Sequence, residues 1–304
     1  MKIYLTFSNI VLYIMSEKVL RIDEDFSPFL LNHAWNPDLT IIVSWNWKKA
    51  TRPASLPAGS DLIQTYYKEN GNCFCELKGG NSIPLASTCY SPDFSRCDCT
   101  INGGVFPDVQ NTLGNVLRML PMRAIFLHFH TLFLHAAQIS MGGTGILFAA
   151  PSGTGKTTQA KLWQEYRGAQ IVCSDRTLTR KTNGEWKTYG YPLDGSEPVR
   201  SGAVNRLGCI VLLRQDAVCR IERLRPAKAI GLLMRQAVMD CWDGDAKSQV
   251  MELFLQLLAD VPAYLLSATP DEDAVFTLEK QLIKDGVIPF GSNSGSALGK
   301  GCKA

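Results

Sequence analysis

The 304-residue chain carries 31 Lys and Arg against 28 Asp and Glu, a formal net charge of +3, too small for the electrostatic footprint of a nucleic-acid-binding protein. A hydrophobic content of 46% supplies a sizeable core, yet no stretch reaches the roughly 18 apolar residues of a spanning helix. Met1–Leu20 lacks a compact apolar run and a small-residue cleavage site, so the expected compartment is the cytoplasm with the ten cysteines reduced, and neither nucleic acid nor membrane is an expected partner.

Residues 1–110 read as a β-rich N-terminal module of short strands, "KIYLTFS", "VLYIM", "LTIIVSW", "NCFCELKGG" and "RCDCTINGG", separated by Gly, Pro, Asn and Ser. The pairs Cys73/Cys75 and Cys97/Cys99 leave one residue between thiols, where zinc sites leave two or more. That spacing puts both sulfurs on one face of a strand, and a half-buried ribbon is preferred over a four-thiolate zinc site. "NTLGNVLRMLPMRAIFLHFHTLF" then has helical spacing, to be kinked or split by Pro121.

Residues 111–290 form a second unit, in which buried strands "LHAAQIS", "GILFAA", "AQIVCS" and "LGCIVLL" alternate with helices, the pattern of an α/β (α+β) sheet covered on its faces. Asn183-Gly184, between alternating residues of "RTLTRKTNGEWKTYGY", predicts a hairpin and hence antiparallel strands in a mixed sheet. Helices are expected over Pro226–Trp242, Ser248–Asp260 and Pro270–Asp285, the last with Thr269 as N-cap and Glu272 three residues on. Residues 291–304, "GSNSGSALGKGCKA", read as a flexible tail.

The chemistry concentrates in "AAPSGTGKTTQ", Ala149–Gln159. It matches a P-loop (Walker A) with Ala150 in place of the first Gly, between a buried strand ending at Ala149 and an amphipathic helix from Thr157 to Arg167 stopped by Gly168. Pro151, Ser152, Gly153, Thr154, Gly155, Lys156, Thr157 and Thr158 are the candidate nucleotide-binding residues. The two glycines let backbone N–H groups and the helix N-terminus face phosphates. Lys156 would reach the β- and γ-phosphates of ATP, and Thr157 would place its hydroxyl on Mg²⁺. "IVCSD" ends at Asp175 on the same sheet edge, the Walker-B-like position for a carboxylate near the metal, and its neighbours Ser174 and Arg176 supply no second carboxylate to polarise water.

"LHAAQISMGGTGILFAAPSGTGKTTQAKLW" followed by "IVCSDRTLTRKTNGEWKTYG" resembles the HPr kinase/phosphorylase-like family, including related kinases found with peptide-modification systems. The resemblance covers Leu134–Leu213 and hardly touches the N-terminal module. It implies a PEP-carboxykinase-like nucleotide fold, a His at the active site on the strand before the P-loop, matched by His135, and a homo-oligomer. The family commonly carries two adjacent aspartates where this chain has Ser174-Asp175, so Asp175 would serve both metal and proton. "SEPVRSG" echoes a downstream Glu-Arg-Gly signature in Glu197, Arg200 and Gly202, which makes Glu197 the third candidate metal ligand beside Thr157 and Asp175.

The candidate catalytic residues are thus Asp175, His135 and Lys156. The expected activity is Mg-ATP-dependent transfer of the γ-phosphoryl group to a hydroxyl, serine foremost, of a peptide, small protein or small amino-acid-like molecule. The alternatives are an ATP-binding regulatory protein without transfer and a simple ATPase. Arg176 and Arg180 could neutralise the moving phosphoryl group or sit on a solvated ribbon. His128 and His130 are expected to be packing residues, as is the helix "LLMRQAVMDCW".

Overall fold

The computed structural model describes residues 1–47, 57–60, 64–105, 111–193, 201–241 and 243–289. Glu197, Arg200, Trp242 and the expected tail at 291–304 lie outside these. The architecture is mixed α/β with two mixed sheets.

The first sheet comprises β1 (Lys2–Phe7), β2 (Ile10–Ser16), β3 (Leu30–Leu31), β4 (Leu39–Ser44), β5 (Gly59–Ser60), β6 (Gln64–Glu69), β7 (Asn72–Lys78), β8 (Pro84–Tyr90) and β9 (Arg96–Ile101). Their spatial order is β3-β1-β2-β4-β9-β8-β7-β6-β5. Period-two alternation puts Ile3, Leu5 and Phe7, then Ile10, Leu12 and Ile14, then Leu39, Ile41 and Val43 on one buried face. Two-residue turns with positive φ at both positions, Ser8-Asn9 and Asn70-Gly71, close the β1–β2 and β6–β7 hairpins. The cysteine pairs lie on β7 and β9, and β8 separates them, with Tyr90 between Cys73 and Cys97 and Thr88 between Cys75 and Cys99. Two strand spacings, about 9–10 Å, are too wide for one zinc ion.

Pro121 does split the helical stretch. α1 (Leu113–Met119), capped by the Thr112 side chain, and α2 (Met122–His128) flank it, and "TLF" belongs instead to the next strand. Both helices close the core over the first sheet, which also takes in Phe133, Leu178 and Tyr189 from the second sheet and Tyr191 and Leu193 from the chain that follows β14.

The second sheet contains β10 (Thr131–Met141), β11 (Thr144–Ala149), β12 (Gln170–Cys173), β13 (Arg176–Thr182), β14 (Glu185–Gly190), β15 (Val204–Gln215), β16 (Arg220–Arg223) and β17 (Ala263–Ala268). Asn183 (φ 54°) and Gly184 (φ 80°) make the β13–β14 hairpin the sequence predicts. Pairings β10–β11, β11–β15, β15–β14, β14–β13 and β13–β10 close a circuit. Its interior is tight: a Cβ on Gly145 would lie 2.4 Å from Thr188 Cγ2.

Helices cover both faces: α3 (Lys156–Arg167) and α6 (Glu272–Lys284) on one, α4 (Pro226–Leu233) and α5 (Gly244–Asp260) on the other. Continuous apolar runs in β11, β15 and β17 follow from this double burial; Cys209 and Val211 face α3 and α6, Ile210 and Leu212 the opposite pair.

Three helix expectations need correction. α4 ends at Leu233 rather than at residue 242, because the following chain is captured by β10: His135 N–H donates to Gln236 O and Val238 N–H to Phe133 O. α5 starts four residues earlier than expected, where Asp243 caps the amides of Asp245 and Ala246. In α6 the cap is Asp271, which accepts from Ala274 N–H, rather than Thr269. Among the described residues no helix is long and apolar enough to cross a membrane.

Candidate functional site

β11, β15 and β17 run parallel, with Ala149 opposite Leu212 and Gln215 opposite Ala268, so their carboxyl ends emerge along one edge. Ligands of α/β folds, open or closed, bind beyond the carboxyl ends of parallel strands. From Ala149 the chain turns through exposed Pro151, Ser152 and Gly153 into α3, with Thr154 N–H donating to Pro151 O at 3.3 Å. Gly153 (φ 79°) and Gly155 (φ 112°) hold angles that other residues adopt only with strain. No atom lies within 4 Å of where a Cβ would stand at either, so conformation rather than crowding selects glycine.

Gly155 is the N-cap of α3, and no side chain caps that end. The first-turn amides, from Lys156 through Thr158, therefore present the positive end of a twelve-residue helix at the sheet edge. Lys156 is only 6% exposed, and its Nζ donates to Ala150 O at 2.9 Å and Pro151 O at 3.4 Å. Burial lowers the pKa of its ammonium; Asp175 opposes the shift and Arg176 adds to it.

Asp175 owes its position to strand register. Cys173 lies opposite Gln138 and Arg176 opposite His135, so β12 and β13 flank the same edge of β10 while Ser174 and Asp175 bend out of the ladder between them. Thr177 spans the interruption, its hydroxyl donating to Ala136 O at 3.0 Å while lying 2.9 Å from Cys173 Sγ. The bend carries Asp175 Oδ1 to 2.7 Å from His135 Nε2, and Arg176 Nη1 stands 3.5 Å from Oδ2. An ionised carboxylate only accepts, so Nε2 carries the proton and donates it. Burial first, then the charges of Lys156 and Arg176, lower the pKa of His135, against the pull of Asp175; the imidazole is neutral at pH 7.

Thr157 Oγ1 donates to Ser174 O at 3.5 Å, which joins the start of α3 to the bend bearing Asp175. Lys156, Thr157, Asp175 and His135 thus converge, although they come from three separate elements. Arg180 does not join them, since its guanidinium binds Ser8 O at 3.1 Å. Nor do His128 and His130: His128 stacks on Phe94 with ring centroids 4.6 Å apart, and His130 sits in an exposed turn.

Sequence reasoning missed two contributors. One is Thr177, an unremarkable strand residue until β10 is placed beside it. The other is Gln159, a buried helix residue whose Oε1 finds no hydrogen-bond partner and which lines a small recess with Thr154, Gly155, Leu213, Ala268 and Pro270. Its signal was a polar residue on the apolar face of α3.

Among the described residues no three His, Cys, Asp or Glu side chains are placed to share a metal ion. One carboxylate and one hydroxyl, Asp175 and Thr157, still fit magnesium, which binds through one or two protein oxygens and fills its remaining positions with water and phosphate oxygens.

No family model matches the chain, and no curated protein matches it. Among solved structures, the Hpr(Ser) kinase/phosphatase from Coxiella burnetii matches with 12% identity and a TM-score of 0.28, over 51% of this chain and 93% of that one. That likeness is too slight to carry fold or function to this chain.

Proposed function

We propose that the chain is a Mg-ATP-dependent phosphotransferase that moves the γ-phosphoryl group to a hydroxyl, serine foremost, of a peptide, small protein or amino-acid-like acceptor. The same proposal includes a cytoplasmic location and, by the family resemblance alone, a homo-oligomer. One observation carries the proposal: a single carboxylate, Asp175, hydrogen-bonded to His135 at 2.7 Å and set among Lys156 and Arg176 beside an uncapped glycine-loop helix. The cations of Lys156 and Arg176 suit a polyanion, and the carboxylate of Asp175 suits the proton that the acceptor hydroxyl must lose.

The loop amides and the first turn of α3 would hold the phosphates, and Lys156 would turn from its own loop carbonyls to their oxygens. Thr157 and Asp175 would hold magnesium, which when bound neutralises phosphate charge. Asp175 takes the proton of the acceptor hydroxyl as the new oxygen–phosphorus bond forms and the bond to the bridging oxygen of ADP breaks. His135, donating through Nε2, fixes the carboxylate toward the hydroxyl. Arg176 screens charge building on the transferred group.

The absence of an acid at Ser174 favours a second reading, an ATP-binding regulatory protein without transfer. Incubation with γ-labelled ATP and Ser-containing peptides, beside Asp175→Asn, separates them. Labelled peptide that disappears in the variant supports the kinase; tight ATP binding without transfer supports the regulator; phosphate release without any acceptor identifies an ATPase.

A further inference from the structure

Gln159 is a buried amide with an unmade hydrogen bond. It stands one turn beyond Gly155 on α3, where its backbone N–H donates to Gly155 O at 2.9 Å, and it is 4% exposed. Its Oε1 is buried and has no hydrogen-bond partner. A buried carbonyl oxygen without a donor is costly, and native proteins keep few such groups. Packing does not call for an amide here, since its neighbours Ala160 and Trp163 belong to an apolar core that leucine or methionine would extend.

Gln159 lines a recess of about 20 Å³. One water-sized group fits, for which about 10–15 Å³ suffices; a purine ring is far larger. The recess adjoins the glycine loop, for Thr154 and Gly155 line it and Gln215 Nε2 donates to Gly153 O at 3.5 Å. Its other lining comes from the carboxyl ends of β15 and β17. Half-buried Leu213 and exposed Pro270 are apolar, and Arg214, whose Nε donates to Ser267 Oγ at 3.0 Å, brings a flat guanidinium. Apolar side chains and a guanidinium plane are surfaces against which an aromatic ring stacks.

Strand order fixes which part of a nucleotide would arrive there. β10, β11, β15 and β17 are successive neighbours, and the glycine loop leaves β11. Asp175 lies on the β10 side, in the bend between two strands that pair with β10, whereas the recess lies on the β15 and β17 side. With the γ-phosphate toward Asp175, the phosphates lead the nucleoside end across the loop to β15 and β17.

We propose that this recess receives the exocyclic amine of adenine: Gln159 Oε1 accepts from the amine while the ring lies against Leu213, Pro270 and Arg214, and the chain thereby selects ATP. The inference rests on the phosphate-binding role proposed above for the loop and adds the base to it. A purine with a carbonyl in place of the amine would set its oxygen against the buried Oε1, acceptor to acceptor, and leave both without a donor.

The test is titration calorimetry on the full chain with magnesium and four probes. These are ATP, inosine triphosphate, purine riboside triphosphate, which carries hydrogen in place of the amine, and inorganic tripolyphosphate. ATP is expected to bind about tenfold tighter than either other nucleotide. Gln159→Leu should weaken ATP about tenfold and bring the three nucleotides within about threefold of one another, while tripolyphosphate binds variant and parent alike. Should that variant not fold, the nucleotide series on the unaltered chain decides by itself. Three nucleotides of equal affinity for the parent, inosine triphosphate binding more tightly than ATP, or an ATP preference that survives Gln159→Leu would each overturn the proposal and leave the loop's phosphate role standing. Binding of none of the four, tripolyphosphate included, would remove that role and this proposal with it.

Discussion

Lys156→Met removes the ammonium and keeps most of the stem. In the free protein Nζ gives up two bonds to loop carbonyls, Ala150 O and Pro151 O, a loss of about 1.5–3 kcal/mol for charge-assisted contacts. The opposing term is desolvation. Because burial lowers the folded pKa, the unfolded chain holds this proton more tightly, and the charge works against folding at neutral pH. The two offset, so the variant should melt within about 4 °C of the parent, about 1 kcal/mol for a chain of this size. On Mg-ATP binding the ammonium trades two neutral carbonyls for charged phosphate oxygens, so its loss costs about 2 kcal/mol, or about 30-fold in Kd. Titration calorimetry reads this directly. Melting at a nucleotide concentration near 100 times the parent Kd checks it, with a gain of about 2.7 kcal/mol in the parent and about 0.9 kcal/mol in a variant weakened about thirtyfold. Equal affinity in both proteins would refute the assignment of Lys156 to the phosphates; a variant that unfolds without nucleotide would show that the lysine serves only its own loop.

Asp175→Asn keeps an oxygen to accept from His135 Nε2, so melting should barely move while transfer from labelled ATP falls about 10²- to 10⁴-fold; transfer within about threefold of the parent would remove Asp175 as the base. His135 titrates below its ordinary 6.5 in the folded chain, so as pH falls the unfolded chain takes this proton first and stability drops. His135→Gln lacks that term, and denaturant titrations between pH about 7.5 and about 5.5 should show the parent's advantage narrowing on acidification; a widening gap contradicts the assigned direction. Gly145→Ala should cost about 1–3 kcal/mol in urea unfolding with the slope unchanged, because its Cβ meets Thr188 Cγ2 at 2.4 Å and Thr188, fully buried and bonded to Gln138, has little room to yield; an unaltered midpoint would mean that the strand circuit is looser than drawn.

Local chemistry made much of this chain legible before folding. Strand, loop and helix around Ala149–Arg167 follow from a buried apolar run, two glycines that must take positive φ, and a glycine at Gly168 (φ 63°) that ends α3. The Asn183-Gly184 hairpin and the alternating strands of the first sheet are equally local. The alternation that marks a strand is weak in β6 and β8, "QTYYKE" and "PLASTCY", which become strands by pairing with β7 and, for β8, also with β9. Residues 234–238 keep a helical apolar pattern, yet β10 offers their backbone partners that a further helical turn would forgo.

The amino-acid sequence by itself therefore determined the glycine loop, the helix behind it and most of the strands, since each depends on neighbours a few residues away. Only the tertiary structure decided that Asp175 meets His135 forty positions earlier, that Thr177 ties down the bend between them, and that Asp240 meets Tyr66 and Arg123. Those encounters depend on strand register and on how two sheets pack, and a shift of one residue in either would leave every local pattern intact while turning the side chains to opposite faces.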